Sequence, residues 1–240
     1  MSPHDLTPEG SLLFQSVDFS VYLCLHQDSL RQALLARSHF YQVAEDLKVS
    51  PQGDDLDWLP NAKVFTVWRH GQILGTIRNL VYNQAYQWQD CMLSRYHPRS
   101  LDALEGPETP LLESSRFAVA PGLDRRTAFQ VQGILFRVQV MANQSEDIRH
   151  VTTIVRPNHI RFYEKYMSMR VIDEEMEYDG HRYTVMAVPA LEKCTFSYSQ
   201  PEALGIDEAA CLIRYAELKA QLLSNPFPSP SLPSIDESLS

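Results

Sequence analysis

The sequence predicts a mixed α/β protein, one central sheet with helices on both faces. Three observations carry this. β-rich runs alternate with amphipathic runs in the order strand, helix, hairpin, strand, helix, strand, helix, hairpin, which combines antiparallel and parallel pairing in one sheet. In the middle, a strand over 113–120, a helix from 127 and a strand over 148–155 read as a right-handed parallel crossover. Near the end, Asp179-Gly180 between two β-runs is a strong hairpin signal.

Residues 1–15 are polar, contain proline and lack a period, so they are expected to form a disordered leader. Phe19–His26 (FSVYLCLH) is rich in β-formers and predicts the first strand. Asp28 or Ser29 then caps a helix to about Lys48, with Leu30, Ala33, Leu34, Phe40, Tyr41 and Val43 as its apolar face. Pro51–Leu56 is an acidic turn. Asp54-Asp55-Leu56-Asp57 has a passing likeness to a calcium loop, but the glycine and closing glutamate are missing at the required offsets. Ala62–Trp68 and Ile73–Leu80, joined at Arg69-His70-Gly71-Gln72, predict a hairpin.

Residues 81–110 read as an irregular connection with Tyr82, Tyr86, Trp88 and Tyr96, and one so long is usually functional or mobile. After the strand Glu113–Ala120, Thr127 is expected to cap a helix. Its stripe is Phe129, Val131, Ile134, Leu135, Val138, Met141 and Ala142. Ile148–Val155 predicts a strand, and Pro157-Asn158 opens a helix to about Tyr166. Arg170–Tyr178 and His181–Val188 form the closing hairpin, followed by an amphipathic helix over Ile206–Leu223. A single domain is therefore expected over 16–223, and the Pro/Ser-rich stretch 224–240 is expected to be disordered.

The chain has 240 residues, 44% apolar and 21% charged, which suits one ordinary globular domain. A net charge of −9 argues against nucleic acid as the main partner, because phosphate binding needs a basic face. Cys24, Cys91, Cys194 and Cys211 are too far apart for a metal or redox motif and read as buried thiols of a reducing, cytoplasmic setting. No run approaches the length of a membrane span, and no secretory pattern opens the chain. The histidines are scattered without an HExxH, so no metal is expected. No GxSxG or Cys-His pattern suggests a covalent acyl-enzyme.

The chemistry concentrates in Leu111–Ala120. Glu113, Ser114, Ser115 and Arg116 lead into an apolar strand, and Asp124-Arg125-Arg126-Thr127 precedes the next helix. A polar strand feeding a helix N-terminus is a common way to hold an anionic group beside a reacting centre.

Four stretches in one order resemble the GNAT acyltransferase superfamily, and within it the FeeM-type N-acyl amino acid synthases and the acyl-homoserine-lactone autoinducer synthases. They are Arg37-Ser38-His39-Phe40-Tyr41, Gly75-Thr76-Ile77-Arg78, Glu113-Ser114-Ser115-Arg116-Phe117 and Asn158–Lys165 (NHIRFYEK). Glu-Ser-Ser-Arg-Phe is the most specific. The last stretch and the closing hairpin favour the amino acid synthase branch. The resemblance covers about residues 19–190 and implies the GNAT acyltransferase fold, splayed between its fourth and fifth strands.

The resemblance further implies transfer of a long-chain acyl group from an acyl-phosphopantetheine thioester to the amino group of an amino acid. Glu113 would act as general base, Tyr163 would protonate the leaving thiolate, and Arg116 would serve at the reacting centre. Arg37, Tyr41, Arg78, Ser115, Phe117 and Val119 would bind substrate, one or two of the arginines gripping the acceptor carboxylate as a fork. The acyl groove would be lined by Phe117, Val119, Leu135 and Val151. Arg125, Arg126 and Thr127 would hold the donor phosphate, with Arg137, Arg149 or Lys165 helping to dock an acidic carrier protein.

The usual GNAT phosphate loop is missing. Val119–Arg126 contains one glycine where a pyrophosphate cradle needs several, and this tilts the expected donor from acyl-CoA to acyl carrier protein. Met167-Ser168-Met169 stands where Leu-Gly-Phe is common in that superfamily. The structural alternative for each charged residue is a salt-bridged scaffold, and for Tyr163 a place in the core. Three other functions stay open: an autoinducer synthase using S-adenosylmethionine, an acetyl-CoA-dependent GNAT, and a GNAT-like interaction module without catalysis.

Overall fold

A computed structural model describes residues 11–83, 86, 91–104, 109–173, 176–178, 180–189 and 194–224. Trp88, Asp179 and the segments 1–10 and 225–240 lie outside them. β1 (Leu12–Gln15) pairs antiparallel with β2 (Ser20–Leu23). The leader expected through residue 15 therefore already contains a strand, because Leu13 and Phe14 bury their side chains in the main core. α1 (Gln27–Glu45) starts one turn earlier than Ser29 suggests: His26 is the cap residue, and its amide donates to Ser29 Oγ at 3.2 Å. A 3₁₀ turn, Asp55–Trp58, precedes β3 (Ala62–Arg69) and β4 (Gln72–Tyr82). His70 and Gly71 both have positive φ, 50° and 74°, which is what a two-residue hairpin turn of the right twist needs.

The stretch read as irregular holds two short helices, α2 (Met92–Tyr96) and α3 (Pro98–Asp102). Cys91 and Leu93 anchor α2 by packing with Tyr82 and Leu111 in a second apolar cluster. β5 (Leu111–Val119) leads to α4 (Arg125–Ser145) and β6 (His150–Val155). α5 (Ile160–Met167), β7 (Arg170–Val171), β8 (Met176–Tyr178) and β9 (His181–Pro189) follow, then α6 (Pro201–Leu204) and α7 (Glu208–Ser224).

The strands run in the order β1-β2-β3-β4-β5-β6-β9-β7, with β8 hairpinned onto β9. All pairs are antiparallel except β5 with β6. Alternation along the strands sorts side chains to two faces. Phe65, Val67 and Ile77 meet α4 and α7 in the main core, while Val64 meets Leu30, Ala33 and Leu34 of α1 on the opposite face. α4 lies close on β4 because Gly75 has no side chain; a Cβ there would stand 2.5 Å from Val131 Cγ1. Helices thus cover both faces, as the sequence predicts.

The parallel pair β5–β6 is where the sheet opens. Their register runs only from Leu111 opposite His150 to Ser114 opposite Thr153. β5 continues to Val119 and β6 to Val155 without further pairing. Two strands that part leave unpaired backbone groups facing a wedge, and something polar must satisfy them.

Candidate active site

A cavity of about 420 Å³ occupies the opening. Glu113, Ser115, Arg116, Phe117, Ala118 and Val119 of β5 form one lip. Thr153, Ile154 and Val155 of β6 form the other. Tyr41 of α1, Arg78 of β4, Met92 and Tyr96 of α2, His97, Gln132 of α4 and Tyr163 of α5 stand in the wall, which continues through Phe40, Ala44 and Leu47 on one side and Met176 and Tyr183 on another.

β5 bends at the lip. Arg78 stands opposite Ser115 and Thr76 opposite Ala118, so Arg116 and Phe117 together face Ile77 alone. This is a β-bulge, and Arg116 takes its left-handed position with φ 55°. A side-chain-bearing residue in that region costs roughly 1–3 kcal/mol and persists only where its surroundings hold it. The Tyr41 hydroxyl does so from α1, donating to the Phe117 carbonyl at 3.0 Å. Past the bulge, the Ala120 amide donates to the Leu74 carbonyl at 2.8 Å. Bonded and non-bonded pairs alternate along an antiparallel ladder, so Val119, opposite Gly75, turns its amide away from β4 toward the opening.

Beneath the lip lies an ionic cluster. Arg37 forks onto Asp57, with Nη1 at 2.8 Å from Oδ1. Arg78, fully buried, reaches Asp57 Oδ1 at 3.1 Å, also contacts Asp54, and donates from Nε to Ser115 Oγ at 3.1 Å. Arg116 donates from Nη2 and Nε to Asp54 Oδ2 at 2.6 and 3.1 Å. Three arginines share two aspartates, and the surplus positive charge faces Glu113. Burial alone would raise the Asp57 carboxyl, but Arg78 and Arg37 outweigh it and hold it well below the usual carboxylate range.

Glu113 is 1% exposed. Its Oε2 accepts from the Met92 amide at the start of α2 at 2.9 Å. Its Oε1 has no partner among the described residues. Burial pushes the carboxyl up, Arg78 and the α2 amides pull it back, and the balance leaves it at about 7. Tyr163 is also buried, and that burial holds its phenol well above 10, with Thr153 its hydrogen-bond partner. Arg78 Nη2 likewise lacks a partner among the described residues.

Seven of the expected residues therefore converge with Glu113 on one cavity: Tyr163, Arg116, Tyr41, Arg78, Ser115, Phe117 and Val119. Others do not. Arg37 is 1% exposed and bound to Asp57 rather than lining the cavity. The expected groove is not open along its full length, since Leu135 and Val151 are wholly buried in the core. Thr127 is not the cap of α4. Asp124 is, accepting from the amides of Arg126 and Thr127 at 3.0 Å each and from the Thr127 hydroxyl at 2.6 Å. An aspartate thus already fills the anion position at this helix end. Arg125 lies over the Phe129 ring at 5.3 Å, and neither it nor Arg126 lines the cavity.

Asp54 was not foreseen as a site residue. The signal was present, because two buried arginines and a half-buried one need acids and the acidic turn supplies them. Among the described residues no group of three or more His, Cys, Asp or Glu could hold a metal, and no helix is long and apolar enough to cross a membrane.

A mostly antiparallel sheet with one parallel pair and helices on both faces matches the GNAT-like acyltransferases. The solved structure of FeeM, an N-acyl amino acid synthase from uncultured soil microbes, superimposes with a TM-score of 0.59 at 16% identity, covering 79% of this chain and 98% of that one. The AHL synthase LasI gives 0.56 at 17%, covering 78% and 94%. The CoA-dependent acyl-homoserine lactone synthase BjaI gives 0.51 at 15%, covering 81% and 83%. No curated protein matches by sequence. Residues 29–190 match the family described as N-acyl amino acid synthase FeeM. The chain belongs to that family and is an N-acyltransferase.

Proposed function

We propose that the protein transfers an acyl group from a phosphopantetheine thioester, preferentially on acyl carrier protein, to the α-amino group of an amino acid by direct attack. The observation that carries this is Glu113, a buried carboxyl on the lip of the cavity with one oxygen unpartnered among the described residues, which burial pushes up to about 7. A free amino acid arrives as an ammonium and must lose a proton before its nitrogen can attack. A carboxylate poised near neutrality suits that task. The unpartnered Nη2 of Arg78, with Arg116 beside it, supports recognition of the acceptor carboxylate.

The amine nitrogen bonds to the thioester carbon, and the carbonyl oxygen gains charge. The outward-turned Val119 amide supports stabilisation of that oxyanion. The C–S bond then breaks. Tyr163 keeps its proton more tightly than an ordinary thiol does, so its role is to donate a hydrogen bond to the departing thiolate. The nitrogen sheds two protons on becoming an amide: one passes by way of Glu113 to the thiolate, and the other leaves to solvent. The loop after β5, with Gly122 as its one glycine and its helix end capped by Asp124, offers little to a pyrophosphate and favours a single phosphodiester.

The test mixes purified protein with acyl carrier protein or CoA thioesters and the proteinogenic amino acids, reading N-acyl products by mass. An N-acyl amino acid formed faster from the carrier-bound donor is the expected result. An acyl lactone formed from these donors only when S-adenosylmethionine replaces the amino acids would indicate lactone synthesis, and inert donors of both kinds would refute acyl transfer.

A further inference from the structure

α2 brings a second group able to accept a proton to the wall that holds Glu113. The first amide of this helix, that of Met92, donates to Glu113, and His97 closes its far end by donating its amide to the Leu93 carbonyl at 2.7 Å. From Met92 to His97 the helix rises about 8 Å, at 1.5 Å per residue. Glu113 and His97 both line the cavity, so a molecule the size of an amino acid can touch both. The His97 side chain is buried, and its Nδ1 stands 3.4 Å from Asp173 Oδ2, at ion-pair distance but outside hydrogen-bond geometry. Asp173, just after β7, is held in turn. Its Oδ2 accepts from the Ser100 hydroxyl of α3 at 2.7 Å, and its carbonyl accepts from the Thr184 hydroxyl of β9 at 2.8 Å. A carboxylate on the Nδ1 side favours the tautomer that keeps its proton there and leaves the lone pair on Nε2. Nε2 has no partner among the described residues. Burial pulls the ring below the ordinary imidazole range, with Asp173 opposing, so at neutral pH it is uncharged and able to accept a proton. A histidine that only tied α2 to β7 would use its Nδ1 edge and would not need to line the cavity.

We propose that His97 is a second catalytic proton acceptor of the reaction, with Asp173 as its positioning residue. The proposal rests on the acyl-transfer reading above and names the group that receives the proton not bound for sulfur. The N–C bond forms and the C–S bond breaks. Glu113 passes one of the two departing protons to the thiolate. The other moves from nitrogen to His97 Nε2, giving an imidazolium beside the Asp173 carboxylate. That imidazolium releases the proton to solvent and returns to the neutral ring. The need for it depends on the acceptor. An amine that arrives as an ammonium must shed two protons, whereas hydroxylamine, uncharged above neutral pH, sheds one and is served by Glu113 alone.

The experiment follows thiol release and product mass for the wild type, His97→Gln, His97→Ala and Asp173→Asn, with carrier-protein and CoA thioesters as donors. The acceptors are the proteinogenic amino acids, butylamine and hydroxylamine. His97→Gln is expected to lower kcat by about 10²-fold with the cationic acceptors and by far less with hydroxylamine, whose turnover also reports a folded site. Asp173→Asn should show the same selectivity with a smaller loss, and added imidazole should restore turnover of cationic amines to His97→Ala. Equal losses with both kinds of amine, or no loss with either, overturn the proposal. So does a His97→Ala protein that acylates hydroxylamine but is not rescued by imidazole. If the amino acids are inert while butylamine shows the selective loss, the assignment of His97 stands and the amino acid acceptor fails. A wild type that acylates none of these amines overturns both.

Discussion

Glu113 is held in a conflict that its proposed role as general base requires. Burial favours its proton, and Arg78 opposes that. Glu113→Gln is expected to lower kcat/KM by about 10²–10⁴-fold, and the rise of wild-type kcat/KM through about pH 7 should vanish from the pH profile. The same substitution bears on stability. A carboxyl raised from 4.5 to about 7 stabilises the fold fully below 4.5 and loses that contribution as pH rises through 7. At pH 8 the glutamine variant should therefore melt higher than wild type, by at most on the order of 3 kcal/mol, and the gap should close by pH 4. Tyr163→Phe should cost less, about tenfold in kcat, because it removes one hydrogen bond and no proton acceptor. A loss as large as that of Glu113→Gln would make the phenol an obligate acid. The peptide around Glu113 was legible as a site because an acid, two hydroxyls and an arginine precede an apolar strand. The depth of its burial was not, since that comes from α2, whose start at Cys91 is set by packing against Tyr82 and Leu111 rather than by its own short sequence.

At the scale of elements, the acidic turn Asp55–Trp58 with Asp54 ties α1, β4 and β5 together through Arg37, Arg78 and Arg116. Removing one partner of a buried pair leaves an uncompensated charge, so Arg37→Ala should destabilise by roughly 3–5 kcal/mol in denaturant melts. Arg37→Met paired with Asp57→Leu should cost less than the two single changes summed. The start of α4 gives a second comparison. Asp124→Ala should lower the melting temperature by loss of the cap, and Thr127→Ala should lower it measurably less, which would reverse if Thr127 were the cap. Sequence spacing made the helix visible but not its cap, because Asp124 and Thr127 are both good capping residues and only the extended backbone of Asp124 (φ −61°, ψ 155°) decides between them. β1 was missed for a related reason: four residues make too short a run to show a period, and their strand state comes from pairing with β2 and burial of Leu13 and Phe14.

For the whole molecule, the alternation of runs foretold the sheet and the coverage of both its faces. The order of strands needed the crossover at β5–β6, and that too was readable from the strand, helix, strand succession. How far the two strands stay together was not readable, because pairing ends at Ser114 and Thr153 through the bulge at Arg116 and not through any turn residue. That parting also orders events in time. β3 and β4 pair antiparallel across the two-residue turn at His70-Gly71, a connection that closes early. β6 can join β5 only after the whole of α4 has been laid down, and β9 only after some thirty residues more. Pulse-labelled hydrogen exchange during refolding should accordingly protect β3 and β4 amides before those of β6. Until β6 and β9 dock, the chain has a carboxylate and an arginine cluster but no cleft, so a ribosome-bound fragment ending before residue 150 would carry Glu113 and the arginine cluster of the proposed reacting centre and still be unable to bind a thioester.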